Sequence, residues 1–462
     1  MRRIASSFWI ATPLALLGGC SVLLDFDECT SDDHCDAGLS CVDARCVEQQ
    51  PAELVVTESI TVDTIWDSSD EVVLDGVIFV APGATLTIRS GTTVRGREGS
   101  ALVVESGARL LARGTEFEPI VFTSAKPVGM RLPGDWGGVA LLGRAPTNVA
   151  GPVLEGIEQT DQAGFGGADS QWSCGVLEFV RIEFAGYALE QDAELNGLTL
   201  AGCGAGTLVS HVQVHYGLDD GVEVFGGSVH LSNVVVSRAQ DDGLDWDLGW
   251  TGAGQFLVVQ QDDQGDNGIE ASNQKDEQDA QPRSAPRLWN VSLVGSGAGG
   301  SQRALTLKEG SGGTLANLLV IGHPIEAIDV RDAATVAQVQ AGGFALEHAL
   351  MFDVGVDGMH YFPTVEEETE LMPEDERDDD EGFDEGAFFT ADSRVVLGMD
   401  PGLPLAHDPT MPSWVPGAIA GEVATDPPPA LFDGFDEQAR YVGAFQPGVT
   451  PWTANWTAFP LN

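Results

Sequence analysis

Three acidic turns recur between Val212 and Glu270, and their residue types suit the binding of a cation. Each turn reads Asp-[Asp/Asn]-Gly, followed by an aliphatic residue and then a second acid. The turns are centred on Gly221, Gly243 and Gly268, so they are 22 and then 25 residues apart. Such spacing predicts one supersecondary unit that is repeated along the chain.

Equivalent acids on adjacent turns of a stacked β-structure are close neighbours. Parallel strands lie about 4.8 Å apart, and two carboxylates at that distance repel each other by roughly 3 kcal/mol at an effective dielectric of about 20. We therefore expect these acids either to have raised pKa values or to hold a cation, and calcium prefers several oxygen ligands. The alternative is structural, because Asp-Gly and Asn-Gly are ordinary turn formers and solvent screens exposed acids. The candidate calcium ligands are Asp219, Asp220, Glu223, Asp241, Asp242, Asp245, Asp266 and Glu270.

Acid–base catalysis is a second interpretation of the same stretch. Asp241 with Asp242, or an acid set drawn from Asp262, Asp263 and Asp266, could supply an acid and a base. Acids repeated over several turns nevertheless favour architecture over a single active site. The candidate cationic bases nearby are Arg238, Lys275, Arg303 and Lys308.

Histidines and aromatic residues near the acids have simpler interpretations. His211 and His215 would lie roughly 13 Å apart on a strand, too far to share one metal, so we expect them to face outward on the surface. Four aromatic residues could stack on sugars, but packing within the protein is the favoured interpretation: Trp246, Trp250, Phe225 and Phe256.

The elements that position these residues are short strands, repeated in pairs. Six copies of a two-strand unit run from FVRIEF to EAIDV, and helical periodicity is missing almost throughout. In the second strand of each copy a small residue precedes an aliphatic one and then a polar one, as in Gly197-Leu198-Thr199. A repeat of this length is too short for a propeller blade and predicts a coiled stack of strands. Asn233, Asn290 and Asn317 could hydrogen-bond to one another along that stack.

The stretches VLDGVIFVAPGATLTIRSGTTVRG, GDWGGVALLGRAPTN and DDGVEVFGG resemble exported bacterial proteins with a right-handed parallel β-helix, pectin-lyase-like fold. The resemblance covers roughly residues 53–462, with gaps. It implies an all-β solenoid with loop excursions. Lyases of this fold combine calcium with an Arg or Lys base, and its hydrolases use paired Asp residues, but the Gly-His-Gly and Arg-Ile-Lys signatures of the polygalacturonase branch are missing here. Because Cys174 and Cys203 flank one coil, we predict that they pair.

Charge and cysteine usage indicate an extracellular protein. The 462 residues include 71 acids and 22 Lys plus Arg, which gives a formal net charge of −49. A surface of this kind repels a phosphate backbone, so nucleic acid is not an expected partner. Six cysteines other than Cys20 form an even set that suits an oxidising compartment.

The N-terminus is expected to be an export signal with a lipid anchor. Arg2 and Arg3 precede a short apolar stretch that ends in Leu-Gly-Gly-Cys, which resembles a bacterial lipobox. The resemblance implies a signal peptide over 1–19, cleavage before Cys20 and lipidation of Cys20. An ordinary signal peptide or an uncleaved anchor is the alternative.

A cysteine-rich spacer is expected over 20–50. Two disulfides among Cys29, Cys35, Cys41 and Cys46 would order it, in any of three pairings, and zinc is the alternative. The spacing resembles small modules of myxobacterial-type lipoproteins.

The remaining chain is expected to form a β-helix over 51–345 and a loop-rich C-terminal segment over 346–462 that packs on it. An acidic run at 366–385 is typical of a solvated loop. Together these features predict a protein of the outer membrane or cell surface, lipid-anchored and calcium-binding, with a surface-binding, adhesive or structural role. Its partner could be an acidic or neutral glycan or another surface component. The alternative is a calcium-dependent polysaccharide lyase or glycoside hydrolase.

Overall fold

The chain divides into two compact units, Met1–Pro51 and Ala52–Asn462. No helix of the described part is long and apolar enough to cross a membrane. Cys20 and the expected signal segment lie outside the described residues, as does most of the acidic run at 366–385. The structure is a computed structural model that describes residues 29–31, 34–35, 39–42, 45–48, 52–157, 161–190, 193–297, 299–362, 380, 382–391, 394–423 and 425–462.

The described part of the first unit is a disulfide-bonded hairpin. Strands β1 (Leu39–Val42) and β2 (Arg45–Glu48) pair in antiparallel fashion. Disulfides join Cys29 to Cys41 and Cys35 to Cys46. Because a sulfur in a disulfide is not a thiolate ligand, this pairing disfavours the zinc alternative.

The second unit is built from short strands. Its first strands are β3 (Ala52–Val56), β4 (Thr64–Trp66), β5 (Asp70–Leu74), β6 (Val77–Val80), β7 (Thr85–Ile88), β8 (Thr93–Gly96), β9 (Ala101–Val104), β10 (Arg109–Arg113), β11 (Ile120–Ser124) and β12 (Val139–Leu142). The middle strands are β13 (Gly175–Glu183), β14 (Ala188–Glu190), β15 (Ala193–Glu194), β16 (Leu198–Ala201), β17 (Leu208–His215), β18 (Val222–Phe225), β19 (His230–Ser237), β20 (Leu244–Asp247), β21 (Ala253–Gln260) and β22 (Asn267–Ala271). The last strands are β23 (Arg287–Val294), β24 (Arg303–Leu307), β25 (Gly313–Ile321), β26 (Asp329–Val330), β27 (Phe344–Phe352) and β28 (Val395–Leu397), and the two α-helices are α1 (Ala333–Gln340) and α2 (Glu385–Phe389).

These strands form two long parallel sheets and one small hairpin, β14–β15. The large sheet has fifteen strands, in the order β28-β27-β25-β23-β21-β19-β17-β13-β11-β8-β5-β3, with β4, β7 and β10 off this path. The small sheet has nine, in the order β26-β24-β22-β20-β18-β16-β12-β9-β6. From β17 onward each circuit of the chain adds one strand to each sheet, up to β26. The unit is therefore a parallel β-helix, as the repeats and the resemblance predict.

Aliphatic side chains stacked from coil to coil fill the interior. Val222 pairs with Leu244, which pairs with Ile269, and all three are buried. The small residue before each aliphatic is a steric requirement. A Cβ on Gly221 would lie 2.2 Å from Val236 Cγ1 on the next coil, and one on Gly243 would lie 2.2 Å from Val259 Cγ1.

The long strands of the large sheet bend at one shared register position. The residues there all have a left-handed backbone: Phe179, His211, Asn233, Phe256, Asn290, Asn317 and His348. Asn tolerates this conformation better than most residues. Asn290 Nδ2 and Asn317 Nδ2 both donate to the Ala439 carbonyl, at 3.2 and 3.3 Å. Their side chains therefore bind the C-terminal segment, and the expected hydrogen bonding between stacked Asn side chains is wrong for this pair.

The coil stack continues past residue 345, where the sequence predicts its end. Strand β27 crosses that position and pairs with β25, and β28 pairs with β27. The acidic run lies between β27 and β28 in the sequence, so the repeat pattern is interrupted and does not predict β28. Beyond β28 the C-terminal segment covers outward-facing aliphatic side chains of the large sheet. Trp414 and Phe445 of this segment cluster with Val235 and Leu319.

Cys174 and Cys203 form a disulfide within the second unit, as the sequence predicts.

Candidate metal centre

The acidic residues lie on the outward face of the small sheet and in the turns before its strands, on the coils that contain β18, β20 and β22. Val222 and Val224 point into the core, so Glu223 between them faces outward. Glu223 is in register with Asp245, and Asp245 with Glu270, which makes one column of acids across three coils. This is the column that the repeat phase predicts.

A second column lies in the turns just before these strands. Asp242 N donates to Asp220 Oδ1 at 2.9 Å, and Asn267 N donates to Asp242 Oδ1 at 2.6 Å. Each carboxylate thus accepts the backbone N–H of the next coil, and Asn196 Nδ2 donates to Glu223 Oε2 beside it. Asn196 and Asn267 were missed as members of the site, although both precede the same repeat glycine as Asp220 and Asp242.

Seven of the eight candidate ligands come together in three overlapping groups, within each of which the ligand oxygens lie within 4.8 Å of one another. Asp220 belongs to two groups and Asp241 to two, so the groups form a continuous chain of carboxylates. The eighth candidate, Glu270, is instead held by a lysine. The groups are Asp219, Asp220 and Asp241; Asp220, Glu223 and Asp245; and Asp241, Asp242 and Asp266.

Burial makes this concentration of negative charge costly. Burial, and then the charges of neighbouring acids, raise the pKa of Asp220, Glu223, Asp242 and Asp245 well above the usual range of a carboxyl group. Asp245 Oδ1 is buried and has no hydrogen-bond partner among the described residues. An unpartnered buried carboxylate oxygen needs either a proton or a cation.

The acids of the neighbouring coils form ion pairs with Lys or Arg side chains, whereas the four acids with raised pKa values do not do so among the described residues. Lys308 Nζ lies 2.7 Å from Glu270 Oε2, and Arg303 Nε lies 3.0 Å from Glu326 Oε1. Arg303 and Arg331 also hold Asp329, at 3.1 and 2.8 Å. Within the described ranges, no Arg or Lys forms an ion pair with Asp220, Glu223, Asp242 or Asp245. These carboxylates are hard oxygen ligands and fit calcium, which accepts six to eight oxygens.

Comparison with known families places the fold in context. Residues 58–389, which are 332 of the 462 residues, match the model of the pectate-lyase-like beta helix domain. The chain belongs to this family. Comparison with curated proteins and with solved structures gave no match. The family match covers every acid of the three groups, the whole small sheet, and the large sheet apart from β3 and β28 at its two ends.

Three of the four candidate bases are already engaged, namely Lys308, Arg303 and Arg238. Burial alone would lower the pKa of Lys308, but the charge of Glu270 and its hydrogen bond raise that pKa above the usual value of a lysine. Lys308 is therefore held in its protonated form. Arg303 is held by two acids, and the Arg238 guanidinium lies 5.6 Å over the ring of Tyr216, with its Nε 3.8 Å from Asp262.

The catalytic acid sets suggested by the sequence are only partly brought together. Asp241, Asp242 and Asp266 share a group, whereas Asp262 and Asp263 do not join it among the described residues. Lys275 is exposed.

His215 is buried, so the expectation that it faces solvent is wrong. Its Nε2 lies 2.9 Å from the Pro460 carbonyl, and its Nδ1 lies 2.8 Å from Ser237 Oγ. The His215 side chain does point away from the interior of the coil, but the C-terminal segment covers it. His211 packs against Trp452 and Trp456 of the same segment.

The tryptophans near the acids pack within the protein. Trp246 and Trp250 are fully buried, and their Nε1 atoms donate to Ser311 Oγ and to the Val229 carbonyl. Phe225 is buried against Phe165. These rings do not offer the exposed flat faces that stack on sugars.

Proposed function

We propose that this protein is a calcium-binding β-helix of the cell envelope that acts as a surface-binding or adhesive protein. The observation that carries the proposal is the contrast between neighbouring coils of one sheet. Glu270, Glu326 and Asp329 each form an ion pair with a Lys or Arg side chain. Asp220, Glu223, Asp242 and Asp245 belong to the groups of clustered carboxylates, and none of them forms such a pair among the described residues. A bound calcium ion would supply the missing positive charge.

The group of Asp220, Glu223 and Asp245 is the best-supported position for the ion. Asp245 Oδ1 has no hydrogen-bond partner among the described residues, and Asp220 and Glu223 are each more than nine-tenths buried. Deprotonation of all three without an ion would leave like charges in a poorly solvated place. Calcium binding would therefore be linked both to stability and to pH.

Two features favour binding over catalysis. The cationic side chains nearest the acids, Lys308 and Arg303, are occupied by ion pairs. Asp220 and Asp242 accept backbone N–H groups of the next coil, a role that fixes the turns. A long, acidic, repetitive face suits recognition of a glycan or another surface component. Bound calcium would order the acidic side chains of this face.

A calcium-dependent polysaccharide lyase or glycoside hydrolase is the second candidate, and one observation favours it. Burial, which outweighs the hydrogen bond from Leu248 N, raises the pKa of Asp247 to about 7. A carboxyl group with that pKa exchanges protons at neutral pH, as a general acid requires. Glu309, whose pKa is also raised by burial, adds repulsion to Asp247.

Export and anchoring belong to the same proposal. Three disulfides suit an oxidising compartment, and the lipobox-like sequence before Cys20 would place a lipid on that residue. We propose the outer membrane or cell surface as the location. Mass spectrometry of the protein from membranes would detect the lipid on Cys20, and an unmodified N-terminal Met would contradict the anchor.

Two assays test the function. Thermal unfolding in EDTA and in excess calcium should differ by several degrees, and identical melting temperatures would count against a structural ion. The full chain should then be incubated with a panel of acidic and neutral polysaccharides in calcium. The binding proposal expects retention on a polysaccharide or cell-wall fraction without new ultraviolet absorbance or reducing ends. Release of either product would support the enzymatic candidate instead.

A further inference from the structure

The last part of the C-terminal segment, residues 425–462, contacts the outward face of the large sheet, and we call it the docked tail. Two glutamines of the sheet bind its backbone. Gln213 Nε2 donates to the Ala458 carbonyl at 2.7 Å, and Gln213 Oε1 accepts from Ala458 N at 3.0 Å. Gln255 makes the same pair of contacts with Asp436, at 3.1 and 2.8 Å. The sheet therefore holds the tail much as it would hold a separate extended peptide, through main-chain hydrogen bonds.

Histidine side chains are concentrated where the large sheet meets the docked tail. The chain contains eight histidines, and four of them, all on strands of this sheet, contact the tail. Histidine is the side chain whose ordinary pKa lies between pH 5 and pH 8, so acidification acts on this attachment more directly than on the aliphatic core. The contacts are those of His211 with Trp452 and Trp456, His215 with Pro460, His230 with Phe432, and His348 with Asp426.

His215 is the most enclosed of the four histidines, with a fully buried side chain. Its Nε2 donates to the Pro460 carbonyl at 2.9 Å, and its Nδ1 lies 2.8 Å from Ser237 Oγ. A neutral imidazole satisfies both contacts, with Nδ1 as the acceptor of the hydroxyl. Burial lowers the pKa of His215 to about 4; the contact with Pro460 opposes this change, and the charges of Arg238 and Arg181 add to it. Protonation would place a third positive charge in this covered position.

His230 lies on the adjacent strand of the sheet and is held in its neutral form by a different contact. Its ring stacks on Phe432 of the tail, with the ring centroids 4.9 Å apart, and its Nδ1 accepts from Ala253 N at 3.1 Å. A proton on Nδ1 would leave that backbone N–H without its acceptor. Burial, and then the charge of Arg287, lower the pKa of His230. Docking of the tail therefore favours the neutral form of this histidine as well.

The other two histidines face acids, so their protonation opposes docking less. Burial lowers the pKa of His211, but the charges of Glu178 and Glu116 act against this change. His348 Nε2 accepts from Asp426 N at 3.2 Å and lies 3.1 Å from Asp426 Oδ2. A proton on that nitrogen would remove an acceptor and would also attract the carboxylate. We therefore assign the response to acid to the two histidines that face arginines.

We propose that acid loosens the docked tail through His215 and His230, so that its attachment to the large sheet weakens below neutral pH. The tail then opens as a unit, and outward-facing aliphatic side chains of the sheet lose part of their cover, as at Leu319, which clusters with Phe445 of the tail. This inference goes beyond the calcium binding proposed above and does not depend on it.

The direction of the effect follows from proton binding. In the open tail these histidines titrate near 6.5, whereas docked His215 titrates near 4. The docked state therefore binds fewer protons, and the stability that His215 gives to docking is present above the open value and is lost as the pH falls through it. Through His215 alone, opening at pH 5 should exceed opening at pH 7.5 by about 30-fold. The buried acids have the opposite pH dependence, so the measurement must be local to the tail.

Hydrogen exchange of the full chain, followed by mass spectrometry, provides that local measurement. After correction for intrinsic exchange rates, the protection of tail peptides that contain Asp436 and Ala458 should fall by about 30-fold from pH 7.5 to pH 5, while strands β19 and β21 keep their protection. In His215→Gln, whose side chain does not titrate, the tail should lose only a few-fold. The matched control is His34→Gln, because His34 is exposed and lies in the first unit; it should respond as the wild type does.

Several outcomes would overturn this inference. Equal tail protection at the two pH values in the wild type would do so, and so would a fall of the same size in His215→Gln. Loss of protection in β19 and β21 together with the tail would mean that acid unfolds the β-helix as a whole. If His215→Gln already lacks tail protection at neutral pH, His230→Gln replaces it and should reduce the response to acid. The series is run in EDTA and in calcium: the same response in both supports the histidines, and a response in only one would place its cause at the carboxylates.

Discussion

Lys308 Nζ lies 2.7 Å from Glu270 Oε2, one coil away from Asp245, whose Oδ1 is buried without a hydrogen-bond partner among the described residues. The same register position thus carries a neutralised acid on one coil and an uncompensated acid on the next. The positive charge of Lys308 also lowers the pKa of Asp245, although burial and the charge of Glu270 outweigh it. On one coil the protein neutralises the acid with its own lysine, and on the adjacent coil the equivalent acid has no such lysine among the described residues.

Removing that resident cation should make the protein depend more on calcium. In Lys308→Met, the Glu270 carboxylate loses its partner beside Asp245, and we expect the free energy of unfolding in EDTA to fall by about 1–3 kcal/mol. Calcium should recover part of this loss because the enlarged acidic group binds the ion more tightly. Urea unfolding in EDTA and in calcium measures both effects. Lys275→Met, at an exposed position, is the control, and equal stability of the two variants would refute the role assigned to Lys308.

The stability of the ion-free protein should fall as the pH rises. The unfolded carboxyl groups titrate near their model values of 3.8 and 4.5, whereas burial raises the folded pKa of Asp220, Glu223 and Asp242, and that of Asp247 to about 7. The folded state therefore binds more protons, and the stability that these groups provide is present at low pH and is lost as the pH rises through the raised values. Melting temperatures in EDTA should decline between about pH 5 and pH 8 and decline less in calcium. A flat profile in EDTA would show that the acids ionise without cost.

The docking of the C-terminal segment should depend on Asn290. Its Nδ2 donates to the carbonyls of Ala439 and Tyr441, and its backbone φ is 53°. Asn290→Ala loses both hydrogen bonds and adds about 1–2 kcal/mol of left-handed backbone strain. Asn290→Gly loses the same bonds without that strain, so its unfolding free energy should lie between those of Asn290→Ala and the wild type. If all three proteins unfold at the same urea concentration, the segment contributes nothing measurable at this position.

Loss of the disulfide inside the β-helix should be costly. Cys174 and Cys203 are 29 residues apart, and closing a loop of that length constrains the unfolded chain by about 3–4 kcal/mol in the chain-entropy model. Cys174→Ala/Cys203→Ala should lower the urea midpoint of the far-ultraviolet circular dichroism transition. Adding reductant should lower the wild-type midpoint towards that of the double variant. A midpoint unchanged by the substitutions would mean that packing alone sets the stability of this coil.

Much of the fold follows from the sequence because a β-helix repeats its environment. Gly221 and Gly243 meet a valine of the next coil at the same distance, so each copy needs a small residue followed by a buried aliphatic. That constraint aligns Glu223 with Asp245 and Glu270 before any coordinates are known. Alternation and turn residues supply the strand boundaries for the same reason.

The rest depends on contacts between residues that are distant in sequence. His215 is buried because Pro460, 245 residues later, covers it, and no local pattern around His215 contains that information. The ion pair of Lys308 with Glu270 bridges two coils across a long insertion, so the repeat phase does not predict it.

Direct titration of the full chain with calcium at neutral pH tests the central claim most closely. Calorimetry should show saturable binding to the wild type and to Asp263→Asn, which alters an exposed acid outside the three groups. In Asp245→Asn, calcium binding should be lost or weakened at least tenfold, about 1.4 kcal/mol. This variant should also be more stable than the wild type in EDTA, because folding no longer has to protonate or bury a charged carboxyl group at this position. Absence of saturable binding to the wild type, or equal affinity in Asp245→Asn, would contradict the assignment of this acidic column as a calcium site.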